Sequence, residues 1–287
     1  MPSLIDFRRR IRSVKNTQQI TKAMKMVSAA KLRRAQERVV AARPYATQLR
    51  EILINLAAAA ANDPDASASP WLIRREVKRI DLLLFTSDTG LAGAFNSNLL
   101  KAAKVFHDEN PNAEIHLIAV GRKGRDYYRR RNGRILAESI NVLNKRTYQE
   151  AADIAKESIR RYKDGETDAV YVLNNEFKTV MSQKVTVAQL LPVELPQQQE
   201  VKDYIYEQPP LDMLESLMPR YVEVAVFKAM LETIASYQAA RMTAMDTASS
   251  NAKEVIDTLT LQMNRIRQAA ITKEIIEVVS GAASAAE

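Results

Sequence analysis

VFKAMLETIASYQAARMTAMDTASSNAKEVIDTLTLQMNRIRQAAITKEIIEVV, residues 226–279, contains neither glycine nor proline and carries its apolar residues along one helical line. That line runs through Val226, Met230, Ile234, Tyr237, Met245, Ala248, Val255, Leu259, Ile266, Ala270 and Val279, with small drifts of register. Steps of three and four residues define an amphipathic helix. The pattern reaches from Leu211 to about Ala283, with Pro219 near its start and no glycine before Gly281. At ~1.5 Å per residue such a helix is a rod on the order of 90 Å or more. Propensity does not hold a lone helix of this length in water, so it needs a partner along its face.

A second long helical pattern lies at the other end, from Leu4 to about Ala60. Leu4, Phe7, Ile11 and Val14, and later Leu32, Ala35, Val39 and Ala42, follow the a/d period of a coiled coil. The middle of that register is polar, falling on Gln18, Thr21, Lys25 and Ser28, while Ile20, Met24 and Val27 form a second, rotated stripe. A helix apolar on more than one side wants more than one neighbour. Pro44 removes one internal hydrogen bond and bends the helix, which is read as continuing past it. The economical arrangement is a long antiparallel two-helix coiled coil formed by the N- and C-terminal helices. The C-terminal helix is the longer. Its tip, with Ile271, Ile275, Ile276, Val278 and Val279, is expected to project alone and to require a protein socket.

Between the helices the period changes. VKRIDLLLFT (77–86), EIHLIAV (114–120) and DAVYVLN (168–174) suit buried strands, and helical stretches at 92–107, 123–130 and 148–162 alternate with them. Strands separated by such helices imply a Rossmann-like, mostly parallel α/β domain. Extended segments at 179–187 and 201–206, linked through Pro192–Pro196, are expected at its edge. The resulting division is an N-terminal coiled-coil helix (1–60), a linker (61–75) around the Asn, Asp, Pro and Ser cluster of 62–70, a central α/β domain (76–210) and a C-terminal coiled-coil helix (211–287).

The 287 residues are 46% hydrophobic and 26% charged, with seven glycines and one tryptophan, which fits a folded chain and not a turn-rich β protein. Zero cysteines exclude disulfides, thiolate nucleophiles and thiolate metal sites; His107 and His116 have no other ligand type spaced to join them. No stretch approaches eighteen uncharged apolar residues, which excludes a membrane-spanning helix. The N-terminus has arginines without a following apolar region, so it does not read as a secretory signal, and its pattern runs on too far for a transit segment.

The net charge of +8 is unevenly placed. Residues 1–50 hold thirteen Lys or Arg against Asp6 and Glu37, a net of +11, so the remainder carries −3. Nucleic acid, anionic lipid or carboxylates on a partner protein would match such an element. Arg8, Arg9, Arg10, Arg12 and Lys15 lie around a/d positions with no aromatic platform between them, which favours an acidic protein partner over a single-stranded nucleic acid. A basic coiled-coil nucleic-acid-binding protein is the alternative reading. SDTGLAGAFN (87–96) opens a helix after the first strand, but lacks the GxGxxG and GxxxxGK[ST] patterns and reads as a tight turn. GRKG (121–124) reads as a basic surface turn. Asp81, Asp88 and Asp168 have no histidine or second acid at recognisable spacing, so no catalytic, cofactor or metal residue is assigned.

Three segments carry a family resemblance. IRSVKNTQQITKAMKMVSAAKLRRAQ (11–36), SDTGLAGAFN (87–96) and NRIRQAAITKEIIEVVSGAASA (264–285) resemble the gamma subunits of bacterial F-type ATP synthases, over the whole chain. Thr89 stands where that family more often has Arg, Ala92 where it has Cys or another small residue, and Lys273 where Gln is usual. The resemblance implies a non-catalytic central stalk standing inside a ring of three alpha and three beta subunits that hold all the nucleotide sites. The α/β domain would be a foot on the epsilon subunit and the membrane c-ring, and proton flow would turn foot and shaft together to drive ATP synthesis. It places Met24 and Lys25 at the coupling position, and Arg241, Arg267, Gln268 and Thr272 at positions that meet the hexamer. A peripheral position on the cytoplasmic side of the cell membrane follows from the same resemblance.

Overall fold

The structure is a computed structural model that describes residues 3–60, 69–73, 75–131, 133–141, 147–193 and 206–285, with side chains to residue 280. The chain forms two compact units. One comprises Met1–Ser28 with Met242–Glu287, the other Ala29–Arg241. Two helices contribute to both units: α1 (Leu4–Ala60) and α5 (Pro210–Ala285). Helix α1 continues through Pro44 and α5 through Pro219.

In the first unit the helices run antiparallel. As α1 advances from Gln18 to Lys25, its partners on α5 step back from Ser249 to Asp246. Phe7, Thr21 and Ser28 of α1 are buried, with Leu4, Ile11, Val14, Gln18 and Lys25 half-buried between them. The polar middle of the a/d register is therefore the part that faces the partner. Thr21 and Ser249 share a hydroxyl–hydroxyl bond of 2.7 Å there. On α5 the seam runs through Met245, Ser249, Ala252, Ile256, Leu259, Met263, Ile266 and Ala270. This corrects the sequence-derived line, which included Val255; that side chain is 46% exposed. A strict heptad carried on from Met245 selects small or polar Ser249 and Ala252, whereas a search for hydrophobic side chains drifts off it.

The second unit is a five-stranded sheet against the remaining parts of the long helices. Its elements are β1 (Arg79–Phe85), α2 (Phe95–Glu109), β2 (Glu114–Val120), α3 (Arg122–Arg129), β3 (Ile135–Ser139), α4 (Tyr148–Lys163), β4 (Ala169–Phe177) and β5 (Gln183–Leu191). The strand order is β3-β2-β1-β4-β5, parallel except for the β4–β5 pair. Ile80, Leu82 and Leu84 pack with Phe95, Leu99, Ala103 and Phe106 of α2, while Asp81, on the opposite face, bonds Arg161 of α4. Both faces of β1 are covered, which accounts for its unbroken apolar run. Each fully buried leucine there stabilises the fold by ~1.5–3 kcal/mol.

Strand β3 was not anticipated. Only five residues long, it exposes Leu136 while half-burying Ile135 and Ala137, so its side chains do not alternate in polarity. The edge strand expected at 179–187 forms instead at Gln183–Leu191, after a turn in which Thr179 and Ser182 exchange backbone bonds. The strand expected at 201–206 lies outside the described residues except for Tyr206, which is not in a strand. GRKG is more than a surface turn. Gly121 has φ of +101°, and a Cβ on it would lie 2.0 Å from the Thr86 carbonyl oxygen. The Gly124 N–H donates to Thr86 Oγ1 at 2.8 Å. The start of α3 is thereby pressed onto the end of β1.

Gly121→Ala is expected to lower the stability of the chain by at least ~1–3 kcal/mol through backbone strain. Lys123→Ala, two residues away and exposed, should change it by less than about 0.5 kcal/mol. Chemical denaturation of the two variants beside the parent checks this; equal midpoints for all three would contradict the packing described.

Candidate functional site

Parallel α/β sheets bind ligands in the crevice at the carboxyl ends of their strands, where the chain switches direction across the sheet. Here that position lies between β1 and β4. It is filled by the chain itself. Residues 229–239 of α5 are all buried, and a helix buried on every side belongs inside a core. Ser236 Oγ donates to the Asn175 carbonyl at 3.1 Å, at the end of β4. Tyr237 shares a 2.6 Å hydroxyl bond with Thr89, donates to the Gly90 carbonyl at 3.3 Å, and packs edge-on against Phe95. The SDTGLAGAFN turn is thus a docking surface for α5. Its interior is tied by Ser87 and Asn96, whose side chains bond each other at 2.8 Å while the Ser87 N–H donates to Asn96 Oδ1 at 3.0 Å.

The charged groups of this unit serve mainly to join elements. Asp168 accepts from the Lys78 and Arg79 N–H groups at 3.1 and 2.9 Å and from the Arg79 guanidinium at 3.0 Å. Burial raises its pKa, but these bonds together outweigh burial and hold the carboxyl below its ordinary value. Asp88 accepts from the Arg122 and Asn141 N–H groups, tying the ends of two loops.

Asp81 and His116 were read as unpaired, and the structure overturns that. They stand opposite each other in the parallel β1–β2 register, with Nδ1 3.8 Å from Oδ1, and Arg161 bonds Asp81 at 3.1 Å. Sequence spacing cannot show a pairing that strand register creates. Burial raises Asp81 against the pull of Arg161. Burial first, then the Arg161 charge, lowers His116, with Asp81 opposing. The trio lies in the amino-terminal half of β1, away from the strand ends where chemistry is usually placed. Among the described residues no group of three or more His, Cys, Asp or Glu side chains is arranged to hold a metal ion.

The residues assigned through the resemblance lie apart along the helices. In the first unit Met24 is half-buried and Lys25 forms a 2.6 Å ion pair with Asp246. Both partners of that pair are substantially exposed, so it contributes ~0–1 kcal/mol. Arg267, Gln268 and Thr272 are exposed on α5, where Thr272 Oγ1 donates back to the Gln268 carbonyl at 2.9 Å. Lys273 lies 3.5 Å from Glu277, one turn on. In the second unit Arg241 is half-buried, with Nη1 3.4 Å from the Tyr237 hydroxyl and a buried Nε that has no acceptor among the described residues.

Glu232 was missed by the sequence reading. Its side chain is only 2% exposed and bonds Arg43 and the Phe177 N–H. A signal was present, since Glu232 is the sole charge in AMLETIASYQAA, residues 229–240.

Long helices and a mostly parallel sheet whose carboxyl-end crevice holds a helix of the same chain define a long-helix scaffold built around an α/β sheet. The family model for ATP synthase matches residues 3–285. The ATP synthase gamma chain of Solibacter usitatus (strain Ellin6076) is 60% identical over 285 residues, covering 99% of this chain and 100% of that one. That of Desulfitobacterium hafniense (strain DSM 10664 / DCB-2) is 49% identical over 284 residues, covering 99% of each. Among solved structures, a chain of the central stalk/c-ring of the Tetrahymena thermophila mitochondrial ATP synthase superposes with a TM-score of 0.62 at 27% identity, covering 80% of this chain and 99% of that one. A rotor chain of the Euglena gracilis mitochondrial ATP synthase shares the fold, with a TM-score of 0.68 at 19% identity over 93% of this chain and 98% of that one. The chain belongs to the ATP synthase gamma-chain family.

The depressed His116 pKa carries a pH signature. The folded chain resists protonating this ring, so His116 costs no stability above the ordinary value of 6.5 and stability falls as pH drops below it. His107, lowered by burial, contributes in the same sense. His116→Gln is expected to shrink the loss of stability between about pH 7 and about pH 5.5 without abolishing it, the slope per histidine being at most ~1.4 kcal/mol per pH unit. Denaturation midpoints at a series of pH values check this; an unchanged slope would contradict the assignment.

Proposed function

We propose that this chain is the non-catalytic central shaft of a bacterial F-type ATP synthase. It would couple rotation of the membrane c-ring to ATP synthesis or hydrolysis at a hexamer of three alpha and three beta subunits. The observation that carries the reading is full-length identity to bacterial gamma chains, joined to a sheet whose ligand crevice is occupied by Ser236 and Tyr237 of its own helix. A helix of the chain itself at the crevice where such sheets usually take a ligand supports the reading that the chemistry falls to other subunits.

Under this reading the α/β unit meets the epsilon subunit and the c-ring. No helix among the described residues is long and apolar enough to cross a membrane, so attachment to the cytoplasmic face of the cell membrane runs through partners. Met24, Lys25, Arg241, Arg267, Gln268 and Thr272 are the proposed coupling and interface residues. Exposed positive side chains such as Arg267 suit a rotor, because weak surface pairs form and break without locking one angular position. Of the seven Lys or Arg between Ser3 and Ser28, all but Lys25 are exposed, against Asp6 alone. Acidic surfaces of the hexamer would match that charge better than nucleic acid would, since no aromatic platform accompanies it.

The test is ATPase activity of the chain alone, of alpha with beta, and of all three together, with stoichiometry from native mass spectrometry. A silent chain that enters a 3:3:1 complex and changes its turnover supports the shaft. A chain that stays out of the complex and binds DNA or RNA in a steeply salt-dependent way sinks it. Within the complex, Arg267→Ala and Thr272→Ala are expected to alter turnover while moving the stability of the free chain by less than about 0.5 kcal/mol.

A further inference from the structure

A rotor of this kind must transmit twist between its sheet and its long helices without slip, and apolar packing is poorly suited to that task. Hydrophobic contact is non-directional, so a helix on an apolar bed can turn or slide at little cost. Directional bonds from a buried group resist such displacement.

In the second unit such bonds converge on one buried carboxylate. Arg43 of α1 donates to Glu232 of α5 through Nε to Oε1 at 3.0 Å and through Nη2 to Oε2 at 3.3 Å. The same Nη2 donates to the Phe177 carbonyl at 2.8 Å, and the Phe177 N–H donates to Glu232 Oε2 at 2.9 Å. Phe177 is the last residue of β4. Three elements that are far apart in sequence therefore close a ring of hydrogen bonds around one carboxylate that is 2% exposed. Ser236 and Tyr237, one turn further along α5, bond Asn175 on β4 and Thr89 and Gly90 after β1. Helix α5 is thereby fixed against both strands that flank the crevice.

We propose that Glu232 is the positioning residue that locks α1 and α5 to the sheet in one register, so that twist applied to the α/β unit passes into the helices. This rests on the shaft reading above. Stability alone does not explain the ring. A buried ion pair replaced by well-packed apolar residues commonly leaves a fold as stable or more so, and its best-attested use is to specify register. Arg43 and Glu232 lie in register with Phe177, where their bonds join all three elements at one carboxylate.

The experiment uses the whole complex in membrane vesicles and reads ATP hydrolysis and ATP-driven proton pumping in the same preparation. The double variant Arg43→Met with Glu232→Leu removes both charges and leaves none unmatched. It should enter the complex with the usual stoichiometry and hydrolyse ATP at about the parent rate, while protons pumped per ATP fall by about two- to thirtyfold. A lesion of folding lowers both activities together through loss of assembled complex, and leaves their ratio unchanged. Arg43→Lys keeps the charge but lacks the rigid guanidinium fork that holds both carboxylate oxygens and the Phe177 carbonyl in fixed geometry, so it should lower the same ratio by a smaller factor. It also decides the matter if the double variant fails to assemble. A parent-like ratio in whichever variant assembles overturns the proposal. Failure of the parent chain itself to assemble or to support pumping sinks the shaft reading instead, and the two failures are distinguished by that control.

Discussion

A carboxylate shut away from water has to be matched where it lies, and the match at Glu232 joins two helices and a strand of the α/β unit. Its partners come from α1 and β4, residues 43 and 177, so the ring of bonds exists only when helix, helix and strand are in place together. The stretch around it, 229–239, is buried on all sides and leaves no solvated face that could tolerate a different rotation. Apolar burial supplies the drive for this arrangement, since Met230, Leu231 and Ile234 are all buried there. Directional bonds supply the choice among the rotations that burial would allow. Removing Arg43 alone would strand the buried Glu232 carboxylate at a cost of about 3–5 kcal/mol, whereas removing Glu232 leaves an arginine that water can reach.

The same division of labour runs through the sheet. The apolar faces of β1 stabilise it, while charged groups decide what meets its ends. Asp168 draws the chain before β1 onto the start of β4 by accepting two backbone N–H groups and the Arg79 side chain. Arg161 holds α4 to β1 through Asp81. Gly121 and Gly124 allow the start of α3 to close on Thr86, where a Cβ would collide. The family's nucleotide-like sheet is thus kept, and its carboxyl-end crevice is given over to holding α5.

Much of this was legible in the sequence, for reasons that differ by element. The absence of glycine between residues 226 and 279, with apolar residues every three or four, left no structure other than a helix needing a partner. The strands at 79–85, 114–120 and 169–177 stood out because sheets covered on both faces require continuous apolar runs. Strand β3 was hidden because it is a short edge, with its apolar Leu136 on the exposed side. The Asp81–His116 pair arises from strand register, and Arg43 and Glu232 are 189 residues apart; local spacing encodes neither. For the candidate interface, the resemblance supplied positions such as Arg267 and Thr272, whose exposure on a single chain carries no mark of what they meet. Glu232 left a trace, as the one charge in a buried window, but an isolated charge does not name its partner.

The first unit shows what the polar middle of α1 accomplishes. Thr21 and Ser28 face inward, and the Thr21–Ser249 bond stands where a coiled coil would ordinarily seat leucine or isoleucine. Seam polarity of this sort lowers the stability of the pair and specifies its register. The apolar residues that could have strengthened the seam are turned outward instead: Ile20 is 56% exposed, Met26 72% and Val27 54%. An isolated exposed apolar side chain requires no explanation, but several on one segment beside a dense run of arginines mark a surface meant for a partner. For a shaft inside a protein sleeve the arrangement is coherent. The two helices keep their register through small hydroxyl contacts, while larger apolar side chains stay on the outside. Lys25 is paired to Asp246 by an exposed bond that water and salt weaken.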